Sequence, residues 1–175
     1  MILNPEETIK ALLLRDDSRI ADFGAGSGVF SMAAAKRAPS GKVYAVDIQR
    51  EMLPLIARKA DDHGHENIEI IWGDVEEKGG SKLKDSFVDV VILANMLFQA
   101  KDKNAVVSEI SRILKKGGKV LFVDWEGSFG HIGPREEDFV SRRSALELFE
   151  KEGFVFLQEV PAGDYHYGMI LIGDK

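Results

Sequence analysis

The stretch Asp22-Phe23-Gly24-Ala25-Gly26-Ser27-Gly28 joins an apolar run, Arg19-Ile20-Ala21, to a helical pattern that begins at Val29. Three alternate glycines at a strand-to-helix turn let the backbone pass close beneath a ligand, and the N–H groups of the following helix point at it. A glycine pattern alone also fits an ordinary tight turn. Asp22 narrows the choice. Two residues before the first glycine, its carboxylate would repel a pyrophosphate and attract a ligand that carries an ammonium and a sulfonium.

Three further polar residues stand where apolar runs end. Asp47 closes Val43-Tyr44-Ala45-Val46, where a carboxylate can accept hydrogen bonds from both hydroxyls of a ribose; the competing reading is a helix N-cap. Gly73-Asp74-Val75 follows Ile70-Ile71-Trp72. There the acid can accept from an adenine amino group while Val75 covers a ring face, or the dipeptide is a surface Gly-Asp turn. Asn95 follows Asp89-Val90-Val91-Ile92-Leu93-Ala94 and either faces a ligand or starts an Asx turn. In open α/β sheets ligands lie beyond the carboxyl ends of the strands, so four polar strand ends in register outweigh the four separate alternatives.

The elements that must hold these residues follow from periodicity. Asn4-Pro5-Glu6-Glu7 reads as N-cap, first-turn proline and capping-box acid of a leading helix within residues 1–15. Strand and helix patterns then alternate: strand 19–23, helix 29–38, strand 42–46, helix 50–63, strand 68–72, strand 88–93, and a helix carrying Val106, Val107, Ile110, Ile113 and Leu114 on one face before strand 119–124. Such repetition predicts an α/β fold with a mostly parallel sheet and helices on both faces. Gly64, Gly117-Gly118 and Gly153 stand where helices should end. Ser144 with Glu147 reads as a capping box for a last helix. Strands 154–160 and 167–172 follow, joined by a connector too short for a crossover helix, so they must form an antiparallel hairpin. Seven strands result.

With 175 residues and 45% hydrophobic content, the chain is expected to form one domain over 1–175. The absence of cysteine excludes disulfides, thiolate metal sites and a cysteine nucleophile. A net charge of −6 argues against nucleic-acid binding. No apolar run approaches the roughly 18 residues of a membrane span, and the acidic N-terminus lacks a secretory pattern, so a cytoplasmic protein is expected.

These motifs, together with Ala94-Asn95-Met96-Leu97 and Glu109-Ile110-Ser111-Arg112-Ile113-Leu114-Lys115-Lys116-Gly117-Gly118, resemble those of the class I S-adenosylmethionine-dependent methyltransferases of the quinone-biosynthesis and arsenite-methylating kind. The resemblance covers about residues 15–172. It implies a Rossmann-like seven-stranded sheet with a C-terminal antiparallel hairpin, S-adenosylmethionine as cofactor and a small-molecule acceptor as partner. It also implies a cofactor-binding set. Phe23, Ala25 and Gly26, within the loop of Asp22, Gly24 and Gly28, would line the methionine part, Asp47 the ribose, Asp74 and Val75 the adenine, and Asn95 and Leu97 the methionyl side. Ile48, Met52 and Gly73 complete the set. Two departures matter. Ala25 stands where relatives often have cysteine, and Phe98-Gln99 stand where many have histidines, so no general base carries over there. The Asn-Pro-Pro-aromatic motif of amino-directed family members is absent.

Methyl transfer from a sulfonium is an in-line displacement on an activated donor, so proximity and orientation supply most of the acceleration. A hydroxyl or acidic-carbon acceptor would gain from a base. Residues 126–138, rich in glycine and polar groups, are expected to form an acceptor-side loop. His131 in that loop and His166 in the hairpin are the candidate bases, against plain readings as an exposed loop histidine and a hydrogen-bonded hairpin histidine. Met96, Leu97, Phe98, Trp125 and Phe129 suit an apolar or aromatic acceptor or, equally, core packing. Asp124, Glu126 and His131 read as turn and rim, and no metal is expected. Two other functions compete: a non-catalytic cofactor-binding subunit, and an NAD-dependent oxidoreductase, which would want glycine or alanine where Val29 stands. The oligomeric state stays open, a homodimer included.

Overall fold

The computed structural model describes residues 2–129 and 132–174; His131, a candidate base above, lies outside the described residues. The elements run α1 (Pro5–Lys10), β1 (Arg19–Phe23), α2 (Val29–Arg37), β2 (Lys42–Asp47), α3 (Leu53–His63), β3 (Ile68–Trp72), β4 (Val88–Ala94), a 3-10 turn (Leu97–Gln99), α4 (Lys103–Ile113), β5 (Leu114–Trp125), α5 (Arg142–Lys151), β6 (Phe154–Glu159) and β7 (His166–Gly173). The sheet has the order β3-β2-β1-β4-β5-β7-β6. Strand β7 runs antiparallel to both β5 and β6, and the remaining neighbours pair parallel. The expected hairpin is therefore present, with its second strand inserted beside β5, which returns the start of β7 to the carboxyl edge of the parallel strands.

The chain winds one way from β1 to β2 and β3 and the other way from β4 to β5, so the switch point lies between β1 and β4. Helix α4 lays Val106, Val107, Ile110 and Ile113 on one sheet face, while α1 and α2 cover the other through Ile9, Leu12, Phe30, Ala33 and Ala34. Asn4 caps α1 by accepting from the Glu6 and Glu7 N–H groups. Thr8 ties that helix to the hairpin connector through the Pro161 carbonyl at 2.8 Å.

Three expectations, on the end of α4, the start of α3 and the cap of α5, need correction. Residues 73–87, between β3 and β4, contain no helix. They are held instead by Glu109 of α4, whose buried carboxylate accepts from the Gly79 and Ser81 N–H groups, the Ser81 hydroxyl and Arg112. Helix α4 does not end on Gly117-Gly118: Leu114 is already extended (φ −77°, ψ 135°) and opens β5, so Gly117 at φ +71° serves an irregular strand start. Helix α3 begins at Leu53 rather than residue 50 because Pro54 has no N–H to give back and is tolerated only in a first turn. Ser141, not Ser144, caps α5; its Oγ accepts from the Ser144 N–H, and Glu147 pairs with Arg143.

Candidate active site

The glycine loop folds as a backbone clasp. Gly24, Gly26 and Gly28 sit at φ +66°, +53° and +77°. At Gly24 the requirement is also steric, since a Cβ would lie 2.5 Å from the Met96 Cγ. Four of the loop's N–H groups, which the sequence suggested would face a ligand, are engaged within the protein. Gly24 and Ala25 donate to the Val46 carbonyl at 2.9 and 3.1 Å, Gly28 donates to Ala25, and Gly26 donates to the Asp47 carboxylate at 2.7 Å. Helix α2 likewise receives an internal anion at its start: the Ser31 hydroxyl donates to Asp22 at 2.6 Å, and the Ser31 N–H also faces that carboxylate. A loop wired this way has little left to offer a phosphate.

Asp22 is 2% exposed, and burial raises its pKa to about 6, with the nearby Asp47 adding to the rise. A cation placed against it would reverse that rise. Asp47 is fixed from two sides, by the Gly26 N–H and by the Gln49 N–H at 2.8 Å. It closes an Asx-type turn rather than capping α3, which starts six residues later. Asp74 accepts from the Glu76 N–H at 2.9 Å. Asn95 adopts the left-handed conformation at φ +55°, and its Oδ1 is buried with no hydrogen-bond partner. A left-handed asparagine with an unclaimed acceptor is a strained, desolvated group, the kind retained where a ligand's donor completes it.

A cavity of about 420 Å³ opens along these strand ends. Of the residues singled out from sequence, Asp22, Gly24, Ala25, Gly26, Asp47, Ile48, Gly73, Asp74, Val75 and Asn95 line it. Phe23, Gly28, Met52 and Leu97 do not. Phe23 and Leu97 are wholly buried in the sheet-face core, Gly28 backs onto Ile56 of α3, and Met52 is the N-cap residue of that helix. Leu3, Ser27, Phe30, Gln49, Glu76, Met96 and Gln99 also line the cavity. Met96 and Gln99 follow Asn95 directly, and that adjacency was a usable signal. Leu3 carried none, because the leading segment crosses the site from outside the alternating units.

The far side of the carboxyl edge is built differently. His166, at the start of β7, stacks on Trp125 with ring centroids 4.3 Å apart, and both its ring nitrogens are buried without a partner. Burial lowers its pKa, and with neither nitrogen partnered it is not the hydrogen-bonded hairpin histidine of the plain reading. Residues 126–129 and 132–138 are pinned by a Glu126 N–H bond to the Tyr165 carbonyl and by a Phe129–Ile132 bridge. Gly133 lies under Trp125, where a Cβ would come within 2.8 Å of the indole. Among the described residues no cluster of three or more metal-ligating side chains occurs, and no helix is long and apolar enough to cross a membrane.

The methyltransferase domain family matches residues 14–152. An arsenite methyltransferase of Aquipseudomonas alcaligenes is 31% identical over 116 residues, which cover 63% of this chain and 34% of that protein. A ubiquinone/menaquinone biosynthesis C-methyltransferase of Hahella chejuensis is 28% identical over 160 residues, covering 87% of this chain and 63% of that protein. The chain thus spans from about a third to just under two thirds of the length of these curated relatives. Among solved structures, a SAM-dependent methyltransferase from Aquifex aeolicus superposes with a TM-score of 0.87 at 24% identity, over 98% of this chain and 90% of that one.

Proposed function

We propose, for a chain that belongs to the methyltransferase domain family, that it transfers the methyl group of S-adenosylmethionine to a small-molecule acceptor at the carboxyl edge of its sheet. The observation that carries this reading is the wiring of the glycine loop. The Gly24, Ala25 and Gly26 N–H groups are spent on Val46 and Asp47, and Ser31 in the first turn of α2 is engaged by Asp22. That leaves negative charge where a dinucleotide would put its pyrophosphate and where the methionine end of the cofactor puts positive charge. The unclaimed Asn95 Oδ1 fits the same ligand, since it calls for a donor.

When bound, the cofactor supplies a methyl group already activated on a sulfonium. The chain's own residues bind and orient. Asp47, with each oxygen engaged once by the backbone, retains lone pairs for two ribose hydroxyls, Asp74 accepts from the adenine amino group, and Val75 covers the ring. The absence of cysteine bears on the acceptor. Trivalent arsenic is a soft centre held by thiolates, and this chain has none, so a hydroxyl or acidic carbon suits it better than arsenite.

Calorimetry with S-adenosylhomocysteine and with NAD tests the cofactor assignment, and tighter binding of NAD would overturn it. Turnover of S-adenosylmethionine with arsenite, a naphthoquinol and simple phenols tests the acceptor class. S-adenosylhomocysteine formation is expected with the organic acceptors, and activity confined to arsenite would overturn that part.

A further inference from the structure

Asp124 is the next-to-last residue of β5 and is 1% exposed. Its Oδ1 accepts from the Trp125 N–H at 2.9 Å, the Phe98 N–H of the 3-10 turn also faces the carboxyl group, and Oδ2 is buried with no partner. Few charged groups surround it. Lys103 at the start of α4 acts on it from a distance, and Tyr167, its register partner on β7, spends its hydroxyl on the Val140 carbonyl. Among the described residues no cation forms an ion pair with it. Burial outweighs the two N–H groups and the distant Lys103 and raises its pKa to about 7.

Its place matters as much as its surroundings. Ala94 pairs with Val123, and the Asn95 N–H donates to the Val123 carbonyl, so Asp124 stands one strand away from Asn95 under the turn whose other side lines the cavity. Two neighbouring strand ends therefore each hold a buried oxygen acceptor that lacks a donor. Asp22 and Asp47 differ, since the protein itself supplies their donors. Nothing in the fold requires Asp124 to be an acid: its contacts are two backbone N–H groups.

We propose that Asp124 takes the proton of the methyl acceptor, and that this acceptor is a neutral molecule presenting a hydroxyl or amino group rather than a carboxylate. The inference rests on the methyltransferase reading. As the acceptor's oxygen or nitrogen lone pair forms its bond to the methyl carbon, the carbon–sulfur bond breaks and its electron pair neutralises the sulfonium. The proton released from the acceptor passes to Oδ2. A site furnished with acceptors selects donors, and a carboxylate brought there would meet like charge in a desolvated place.

The test uses the protein saturated with S-adenosylhomocysteine and matched probes, phenol and benzoate, followed through backbone amide shifts of Asn95, Phe98 and Trp125. Phenol should bind at least tenfold more tightly than benzoate. Asp124→Asn replaces one acceptor by a donor, so the preference should shrink to within twofold or invert, while affinity for S-adenosylhomocysteine stays within threefold. Equal affinities in the parent protein, no probe binding, or an unchanged preference in Asp124→Asn would each overturn the proposal. Failure of S-adenosylhomocysteine itself to bind would show separately as a failure of the cofactor reading and would remove the basis of this one.

Discussion

Glu109 and Asp124 are buried alike, at 2% and 1% exposure, yet they ionise in opposite directions. Burial raises the pKa of both. At Glu109 it is overcome by Arg112, by the Ser81 hydroxyl and by the Gly79 and Ser81 N–H groups, which bring the value down to about 2. At Asp124 two backbone N–H groups are not enough, and the value rises to about 7. Partners decide the charge at Glu109, and burial decides it at Asp124. The chain satisfies completely the carboxylate that fixes its own backbone, and leaves short of donors the one under the turn that borders the cavity. Unsatisfied buried groups are costly, so their place in a fold points to where a ligand completes them.

The largest test is to break the satisfied member. Glu109→Gln removes the anion that Arg112 shares with Gly79 and Ser81 of the 79–85 segment, leaving Arg112 its bonds to Asp85 and the Leu83 carbonyl. A loss of about 3–5 kcal/mol is expected from breaking one partner of a buried pair, read by urea unfolding. The sign with pH follows from a depressed value. The stabilisation is present above the ordinary 4.5 and is lost as pH falls through about 2. A variant that unfolds like the parent at pH 7 would mean that the segment holds its shape without Glu109.

Asp47 stands between the two cases, because the protein satisfies both its oxygens and yet it lines the cavity. Asp47→Ala should cost about 2–4 kcal/mol of S-adenosylhomocysteine affinity, the scale of charge-assisted hydrogen bonds lost in a partly buried site. Titration calorimetry reads it. Parent-like affinity would reduce Asp47 to a brace for the glycine loop.

The cofactor half of the edge is made of backbone, which is also why it could be read in the sequence. Gly24, Gly26 and Gly28 require positive φ, and a local requirement leaves a local mark. The same logic misfired at Gly117, since an irregular strand start and a helix C-cap ask for one conformation and sequence cannot tell them apart. Phe23 and Leu97 adjoin site residues in the chain but turn into the core. Glu109 stood out only through resemblance: its partners at Gly79 and Ser81 are 30 and 28 residues away. Asp124 carried no signal as a base, because its lack of donors is a property of neighbouring strands and appears only once β4, β5 and β7 lie side by side.

If backbone builds the cofactor half, glycine substitutions should damage it unequally. Gly24→Ala combines the positive φ with a 2.5 Å approach to Met96, whereas at Gly26 the nearest atom to an added Cβ is 3.8 Å away. Gly24→Ala should cost about 2–3 kcal/mol and Gly26→Ala about 1 kcal/mol in unfolding free energy. Equal costs would mean that Met96 moves aside freely and that conformation alone matters.

At the unsatisfied member the sign is opposite to that at Glu109. A carboxyl group whose folded value is raised from 3.8 to about 7 contributes stability below about pH 4 and loses it as pH rises through about 7. Asp124→Asn removes that titration while keeping an acceptor for the Trp125 N–H. Unfolding free energies of variant and parent should agree within about 0.5 kcal/mol at pH 4, and the variant should become the more stable by up to about 4 kcal/mol at pH 8, the free-energy equivalent of that raised value. A gap of the same size at both pH values would assign the effect to packing of the amide rather than to charge. A variant less stable at pH 8 would show that the ionised carboxylate has a compensating partner, and the contrast with Glu109 would then fail. Stabilisation at pH 8 combined with loss of the phenol preference is the pair of results expected of a group held unsatisfied for a ligand, because a merely misplaced acid would give the first without the second.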